Sequence, residues 1–334
     1  MKANRLKAPP ATLFRYRPLG ELVKRELEAI CSSYLYAPRF EQMNDPMEAL
    51  FDFPGLNDPM GILLPDEFLS ASAAILQETT ETARTSGLIS MSETHLDYPL
   101  WAYYGSNFGG MCLEFDTQEL VISDRPRDSF LPVPVIYDSN PPPPMTLERL
   151  VFSDPMEIVI SRLSQKRVEW RHEKEWRYLA GRSGPKFYTD AALKRIYLGP
   201  RINPKEKAAI VNAMSNRPVE VNEGSVHRYE LKFRCIKEST PWHECERTGA
   251  GRFDPSKALS SEKELRAILG DNYESLERKC KELSAHPNVE SVDGAYPTND
   301  RSGVRVTATY RLRDNRGDIS HHHFFDIDMN PIPY

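Results

Sequence analysis

The sequence predicts an α+β protein with one large and one small domain. The chain of 334 residues is too long for one ordinary single-core domain, and helical and strand patterns are mixed along residues 1–240, which predicts a large catalytic domain there. A polar, glycine-containing stretch from Trp242 to Asp254 then predicts a boundary. Residues 255–334 continue as a charged amphipathic helix and three strands, which predicts a small accessory domain of one helix and antiparallel strands.

The elements follow from hydrophobic periodicity. In the large domain the predicted strands are 13–17, 34–37, 88–92, 109–115, 193–200 and one or two strands within 219–236. The predicted helices are 21–31, 66–86, 156–166 and 204–214. Residues 131–144 contain six prolines and predict an extended surface loop. In the small domain a helix is expected over 258–284, followed by strands over 288–292, 303–312 and 319–327.

Composition limits the function classes. Hydrophobic residues at 40% and charged residues at 27% are typical of a globular protein. A net charge of -5 argues against a general polyanion-binding surface, so any nucleic-acid contact requires a local basic patch. No apolar run is long enough for a membrane span, and the basic N-terminus lacks the apolar core of a signal peptide. Five widely spaced cysteines without a Cys-x-x-Cys motif favour a reducing compartment, so we expect a cytoplasmic protein.

The most charge-dense stretch runs from Lys166 to Arg177, with nine ionisable side chains around two tryptophans. Read as an extended segment, it places Glu173, Glu175 and Arg177 on one face. Two adjacent carboxylates repel each other, and a fold that keeps them together often uses them for chemistry. The Glu-x-Glu pattern also occurs elsewhere in the chain, so by itself it is not specific. The alternative is a structural salt bridge, because Arg177 lies on the same face and can neutralise either glutamate.

Three other segments carry candidate site residues. The first strand places two arginines on one face, a later strand carries two serines, and an aromatic cluster follows. These residues are Arg15 and Arg17, then Ser90 and Ser92, then Trp101 and Tyr104. For Trp101, packing in the core is the more frequent fate of an aromatic side chain.

Two further motifs predict structure rather than chemistry. The sequence Asn-Asp-Pro-Met occurs at 44–47 and again at 57–60, and each copy predicts a turn. The consecutive residues His321, His322 and His323 lie in a predicted strand, where side chains alternate between faces, so at most two can face one metal ion. We expect no metal site there.

In order, these segments resemble a bacterial family of unknown function, DUF2971, over roughly residues 13–235. The resemblance rests on the following pieces: Phe14-Arg15-Tyr16-Arg17, Asn44-Asp45-Pro46-Met47-Glu48, Ser90-Met91-Ser92 with Trp101 and Tyr104, Gly110 to Phe115, Trp170 to Arg177, and Leu198-Gly199. No single piece is specific, but the ordered set is. The C-terminal residues resemble no family that we can name.

The order of an arginine strand, a serine strand and a Glu-x-Glu segment is also similar to the Arg-Ser-Glu arrangement of ADP-ribosyltransferases. That resemblance implies split mixed and antiparallel sheets with flanking helices, and NAD as a substrate. Residue by residue, it implies the following roles: Arg17 or Arg15 at the phosphates, Ser92 at the ribose, Trp101 or Tyr104 at the nicotinamide, Tyr16 and Ser90 as further cofactor-binding residues, Glu175 as the catalytic carboxylate, and Glu173 as the group that orients or deprotonates the acceptor. The serine strand departs from the usual Ser-Thr-Ser, because it reads Ser-Met-Ser.

The expected function is therefore that of an NAD-dependent ADP-ribosyltransferase, as a bacterial toxin or phage-defence effector that modifies nucleic acid or protein. An antitoxin or regulator is an expected partner of the C-terminal domain. One alternative is a non-catalytic module that binds a nucleotide or a partner. Another is a metal-dependent nuclease that uses Asp45, Glu48, Glu173 and Glu175, although no lysine accompanies these carboxylates at an obvious spacing.

Overall fold

The computed structural model describes residues 8–48, 66–120, 132–143, 146 and 153–332. The chain divides into two compact units. The first comprises residues 1–15, 35–97 and 124–186, and the second comprises residues 16–34, 98–123 and 187–334. Most strands belong to a large mixed sheet of eight strands, and a separate three-stranded antiparallel sheet lies near the C-terminus.

The strands of the described residues are short in the first half of the chain and longer in the second. They are β1 (Thr12–Arg17), β2 (Tyr34–Ala37), β3 (Gly87–Ser92), β4 (Met111–Asp116), β5 (Val133–Pro134), β6 (Ile136–Asp138), β7 (Gln165–Arg167), β8 (Glu175–Ala180), β9 (Gly184–Phe187), β10 (Leu193–Leu198), β11 (Glu220–His227), β12 (Glu230–Lys237), β13 (Val289–Pro297), β14 (Gly303–Arg311) and β15 (Asp318–Asp326). In the first unit the sheet strands lie in the order β1-β3-β8-β5, and in the second unit in the order β12-β11-β10-β4. The β10–β11 pair is parallel, which makes the sheet mixed.

The helices are α1 (Val23–Cys31), α2 (Asp66–Thr85), α3 (Tyr98–Tyr103), α4 (Pro155–Leu163), α5 (Pro204–Ala213), α6 (Pro255–Ala258), α7 (Glu262–Leu269) and α8 (Tyr273–Ser284). Local sequence explains where two of them begin. Asp154 and Asn203 each accept a hydrogen bond from a main-chain N–H of the first turn, and a proline follows each of them. Such caps satisfy an otherwise unpaired donor, and proline at the first helical position has no N–H to satisfy.

The register of three neighbouring strands in the first unit positions the candidate site. Phe14 on β1 lies opposite Ser92 on β3, and Ser92 lies opposite Glu175 on β8. Directly opposite residues of an antiparallel pair point to the same face of a sheet. Phe14, Ser92 and Glu175 therefore form one row across the sheet, and Ser90 lies opposite Arg177 in the next row.

The C-terminal part of the second unit has a hydrophobic core of its own. Its side chains come from α6, α7 and α8 and from the three strands β13, β14 and β15, and they include Leu265, Leu276, Val289, Val306 and Tyr310. Three strands packed against helices can bury enough apolar area to be stable, which an isolated hairpin cannot. The composition change at residues 242–254 precedes this core, but the boundary between residues 240 and 255 stays a prediction.

Several expectations need correction. The single helix predicted over 258–284 is divided into α7 and α8, because Gly270 has a φ of 52° at the end of α7. A positive φ ends a right-handed helix, and glycine adopts it without steric cost. The proline-rich segment 131–144 contains the short strands β5 and β6 instead of being loop throughout. The first Asn-Asp-Pro-Met turn is present, whereas residues 57–60 lie outside the described residues.

The expected α+β class is confirmed as a large mixed sheet with helices and a separate small antiparallel sheet. The likeness to the ADP-ribosyltransferase fold stays a prediction. In the part of the chain that the structure describes, no helix combines the length and the apolar character that crossing a bilayer requires.

A buried histidine in the C-terminal core predicts acid sensitivity. His286 is fully buried between Trp242 and Tyr310, and burial lowers the pKa of its imidazole to about 3. In the unfolded chain this group titrates near 6.5, so below that pH the unfolded state takes up a proton that the folded state excludes. Between about pH 7.5 and pH 5 we expect His286 to lower the free energy of unfolding by about 2 kcal/mol.

The measurement is urea denaturation at both pH values for the wild type, for His286→Phe and for the control His243→Phe. His243 is exposed. The His286 variant should lose part of the pH dependence, and the control should keep all of it. An unchanged pH dependence in His286→Phe would contradict this role for His286.

Candidate active site

Five charged side chains meet in the interior of the first unit. They are Glu48, Lys166, Glu173, Glu175 and Arg177, and each is at most 8% exposed. We call this group the buried charge cluster. It contains three carboxylates and two cations, and charges of this kind are almost never buried unless they are paired.

The local sequence explains how two carboxylates enter the cluster. Asp45 accepts a hydrogen bond from the N–H of Met47 at 2.9 Å, and its carbonyl oxygen accepts one from the N–H of Glu48 at 3.3 Å. This turn brings Glu48 to the interior. Glu173 ends a 3₁₀ helix that spans Val168–Glu173, and Lys174 follows with a φ of 44°.

The expectation that Glu173 lies on the same strand as Glu175 is therefore wrong, because β8 begins at Glu175. The left-handed conformation of Lys174 separates the helical turn from the strand. The two carboxylates nevertheless approach one another, because both contact the ammonium group of Lys166.

Lys166 is the centre of the cluster. Its Nζ lies 2.6 Å from Glu173 Oε2, 3.3 Å from Glu175 Oε2 and 3.2 Å from Glu48 Oε1. It also lies 4.9 Å from the centre of the ring of Trp170, which is half-buried. Lys166 is on β7, which pairs with β6 in a small parallel ladder where Lys166 lies opposite Tyr137.

Arg177 is the second cation and is 1% exposed. Its Nε and Nη2 donate to the two oxygens of Glu175 at 2.7 and 2.9 Å, which is a bidentate pair. Its Nη2 also donates to Glu48, and its Nη1 donates to the carbonyl oxygen of Leu163 at 2.7 Å. The alternative expectation of a salt bridge between Arg177 and the glutamate pair is thus confirmed for Glu175.

The main chain at Glu175 is also fixed. Its N–H donates to the hydroxyl oxygen of Tyr137 at 2.8 Å, and its carbonyl oxygen accepts from the N–H of Val135 at 2.9 Å. The hydroxyl of Ser92 donates to the carbonyl oxygen of Glu173 at 2.8 Å. The serine strand therefore holds the glutamate segment in place, and the carboxylate of Glu175 has little freedom to move.

The electrostatics follow from burial and from the two cations. Burial opposes the charge on Glu175, but the positive charges of Arg177 and Lys166 outweigh it and lower the pKa of Glu175 to about 2. Burial raises the pKa of Glu48, although Arg177 and Lys166 oppose that rise. The pKa of Lys166 is raised, because the carboxylates outweigh the effect of burial. At neutral pH the site thus holds an ionised Glu175 between two permanent cations.

The predicted phosphate-binding arginines have other partners. Arg15 Nη2 donates to the carbonyl oxygen of Tyr36 at 2.9 Å, in the first unit. Arg17, in the second unit, forms a bidentate pair with the buried Glu26 at 2.6 and 2.7 Å. Because side chains alternate along β1, both arginines lie on the face opposite Phe14. Binding a phosphate through Arg17 requires its pair with Glu26 to open.

The predicted aromatic residues belong to the second unit. Trp101 is 0% exposed and packs against Tyr16, Phe108 and Phe233, with ring centres 5.3, 6.4 and 6.0 Å away. Its ring therefore fills the core, as the alternative expectation states. Tyr16 is also buried and Tyr104 is half-buried. A nicotinamide contact by Trp101 or Tyr104, and a cofactor contact by Tyr16, stay predictions.

Sequence reasoning missed the central residue of the site. Lys166 stands at the start of the charge-dense stretch, but the sequence assigns it no role. Glu48 enters only as the last residue of one piece of the family resemblance and in the nuclease alternative. The position of Glu48 directly after the Asn-Asp-Pro-Met turn was the available signal. Lys166 is seven residues from Glu173 and nine from Glu175. This pair of spacings matches neither a helix nor a strand period, so it provides no signal for Lys166.

Comparison with known proteins adds a partial match. The model of the family described as "Protein of unknown function (DUF2971)" matches residues 100–178, about a quarter of the chain. The matched segment includes Lys166, Glu173, Glu175 and Arg177 and excludes Glu48 and Ser92. No curated protein and no solved structure matches the sequence.

Proposed function

We propose that this protein is an NAD-dependent ADP-ribosyltransferase and that Glu175 is its catalytic carboxylate. The observation that carries the proposal is the ionised, buried Glu175 in one row with Ser92 and Phe14 across β8, β3 and β1. The Glu strand, the serine strand and the arginine-bearing strand are thus neighbours in the order that the resemblance implies.

The chemistry requires such a carboxylate. When the bond between the ribose C1′ and the nicotinamide nitrogen breaks, its electron pair returns to the nitrogen and positive charge develops on the ribose. A fixed, desolvated carboxylate stabilises that charge more than a mobile, hydrated one. Glu175 is held by a bidentate guanidinium and two main-chain contacts, so it meets this requirement.

The charge balance of the cluster also supports the proposal. Three carboxylates face two cations, so the cluster carries an excess of negative charge when all of its groups are ionised. A buried excess charge favours a positively charged partner. The nicotinamide ring of NAD and the ribose in the transition state both carry positive charge, and either would restore the balance.

Glu173 is the proposed base. Its Oε2 lies 2.6 Å from Lys166 Nζ, and its main-chain oxygen is held by Ser92. In the second half of the reaction the acceptor's lone pair forms a bond with C1′, and the acceptor's proton passes to Glu173. The acceptor is a nucleic acid or a protein, and the biological role we propose is that of a bacterial toxin or phage-defence effector restrained by an antitoxin or regulator.

The nuclease alternative has less support. The ammonium and guanidinium groups lie between the three carboxylates and occupy the position that a metal ion would need. Among the residues that the structure describes, no three His, Cys, Asp or Glu side chains are grouped so as to hold a metal ion. The geometry therefore favours chemistry on a positively charged organic group over metal-assisted cleavage.

The test is the release of nicotinamide from NAD. We expect Glu175→Gln to lower the rate by about 100-fold or more, because it removes the charge that stabilises the transition state while keeping the side-chain shape. The assay should follow nicotinamide by chromatography with the purified wild type and variant. Circular dichroism should establish that both are folded.

Two controls separate chemistry from stability. Glu169→Gln changes an exposed glutamate in the same stretch, and Glu114→Gln changes a buried glutamate outside the cluster that pairs with the half-exposed Arg195. Both should retain activity if they are folded. Equal turnover by Glu175→Gln and the wild type would refute the assigned role. NAD that binds in calorimetry but is never consumed would favour the non-catalytic binding module.

A further inference from the structure

A group of three exposed tyrosines, two exposed arginines and the half-buried Phe108 lies on the second unit. We call it the tyrosine–arginine surface, and it consists of Tyr98, Tyr103, Phe108, Arg201, Arg228 and Tyr229. Tyr229 is 97% exposed, Tyr103 is 69% exposed and Tyr98 is 46% exposed. Large aromatic side chains are seldom this exposed without a partner, because they lose the stabilisation of burial.

Contacts link several of these residues to the β11–β12 hairpin. The hydroxyl of Tyr98, at the start of α3, donates to the carbonyl oxygen of Tyr229 at the tip of the β11–β12 hairpin, at 3.2 Å. A cavity of about 440 Å³ lies beside the hairpin. It is lined by Phe108, Pro200, Arg201, Gly224, Ser225 and Val226. The guanidinium of Arg201 lies 6.0 Å from the ring centre of Phe108. A cavity with an aromatic wall and an arginine thus lies beside the hairpin whose tip carries Arg228 and Tyr229.

The charge of this region differs from that of the chain. Residues 199–237 contain eight lysines and arginines against four glutamates, whereas the whole chain has a net charge of -5. Arg217 is buried, and the remaining cations are still in excess. Lys207 and Arg234 pair with Glu223, and Lys232 pairs with Glu230. Arg201 and Arg228 form no ion pair within the described ranges, so their charges are available to a ligand.

We propose that the tyrosine–arginine surface binds single-stranded nucleic acid, with bases stacked on the exposed tyrosines and phosphates paired with Arg201 and Arg228. Every base offers a flat face to an aromatic ring, and every phosphate offers a negative charge to a guanidinium. A chain of net negative charge needs a local basic patch to bind a polyanion, and this region supplies one.

The same features argue against two other ligands. A duplex keeps its bases stacked on one another and presents no free base face to Tyr229. An acidic peptide would use the arginines but has no flat rings to match the three exposed tyrosines. Single strands are thus the ligand class that uses both the aromatic and the cationic parts of the surface. The inference does not rest on the proposed transferase activity.

The test is fluorescence anisotropy of a labelled oligothymidylate and a labelled oligouridylate with the full chain. We expect Tyr229→Ala to weaken binding about tenfold, which is the usual effect of removing one stacking ring. We expect Arg201→Ala to weaken binding and to reduce the slope of log K against log salt by about 0.7, because one phosphate contact is lost. Tyr36→Ala and Arg182→Ala change exposed residues of the first unit and should bind like the wild type.

Several results would overturn the proposal. The first is undetectable binding by the wild type at low salt, and the second is equal binding of a duplex of the same length. The third is full competition by polyglutamate, which would assign the surface to acidic peptides. Equal affinity in Tyr229→Ala and the wild type would also overturn it. NAD cleavage without acceptor should be the same in Tyr229→Ala and the wild type, so failure here and failure of the transferase proposal can be told apart.

Discussion

Arg177→Met is expected to lower the free energy of unfolding by about 3–5 kcal/mol at neutral pH. The guanidinium is 1% exposed and neutralises Glu175 and Glu48 at the same time. Without it, three buried carboxylates share the single charge of Lys166, and the carbonyl oxygen of Leu163 loses its donor. Removing one member of a buried ion pair costs more than the pair itself contributes, because the remaining charge stays desolvated.

The pH dependence gives this prediction a second measurement. In Arg177→Met the pKa values of the carboxylates should rise above those of the unfolded chain, so their ionised forms destabilise the fold. A group with a raised pKa in the folded state contributes stability at low pH and loses it as the pH rises. The deficit relative to the wild type should therefore be larger at about pH 8 than at about pH 5 in urea denaturation.

Arg234→Met is the matched control, since its side chain is 80% exposed and pairs with Glu223 at 3.3 Å. An exposed pair of this kind contributes about 0–1 kcal/mol. A cost below about 1 kcal/mol for Arg177→Met, or a deficit that does not change with pH, would show that the cluster tolerates its missing cation.

The sequence predicted elements better than their connections. Residues 34–37, 88–92 and 204–214 have clear periodicity, and the structure has β2, β3 and α5 at those places. Those patterns depend only on neighbours within one element. The helices α7 and α8 fall within one predicted helix over 258–284, because the amphipathic pattern continues through a glycine whose φ no periodicity reveals.

The candidate site could be predicted only in part, for a similar reason. Glu173 and Glu175 stood out because they are close in sequence and lie between tryptophans. Glu48 and Arg177 are 129 residues apart, and their contact depends on a turn and on the register of β8, neither of which is encoded locally. Arg17 was chosen for its place on the first strand, but its partner Glu26 is on the helix that follows.

Asp190→Ala is expected to lower the free energy of unfolding by about 3–5 kcal/mol, and the cause lies in the second unit. Asp190 is 0% exposed and accepts hydrogen bonds from Ser33 at 2.8 Å, from Arg217 at 2.8 Å and from Arg313 at 2.7 Å. The two arginines outweigh the effect of burial and lower the pKa of Asp190. The variant leaves two largely buried guanidinium groups facing one another without their shared carboxylate.

Arg313 follows β14, and Asp190 lies in the segment that precedes β10. The ion pair between Asp190 and Arg313 therefore links the C-terminal sheet to that segment. Its loss should therefore make this sheet unfold at a lower urea concentration than the first unit, which hydrogen exchange can resolve. Asp190→Asn keeps an acceptor but loses the charge, and should fall between Ala and the wild type. The double variant Asp190→Ala with Arg217→Met should recover part of the loss, because it removes one of the two unpaired charges. No recovery in the double variant would mean that packing around Asp190, and not charge, sets the cost.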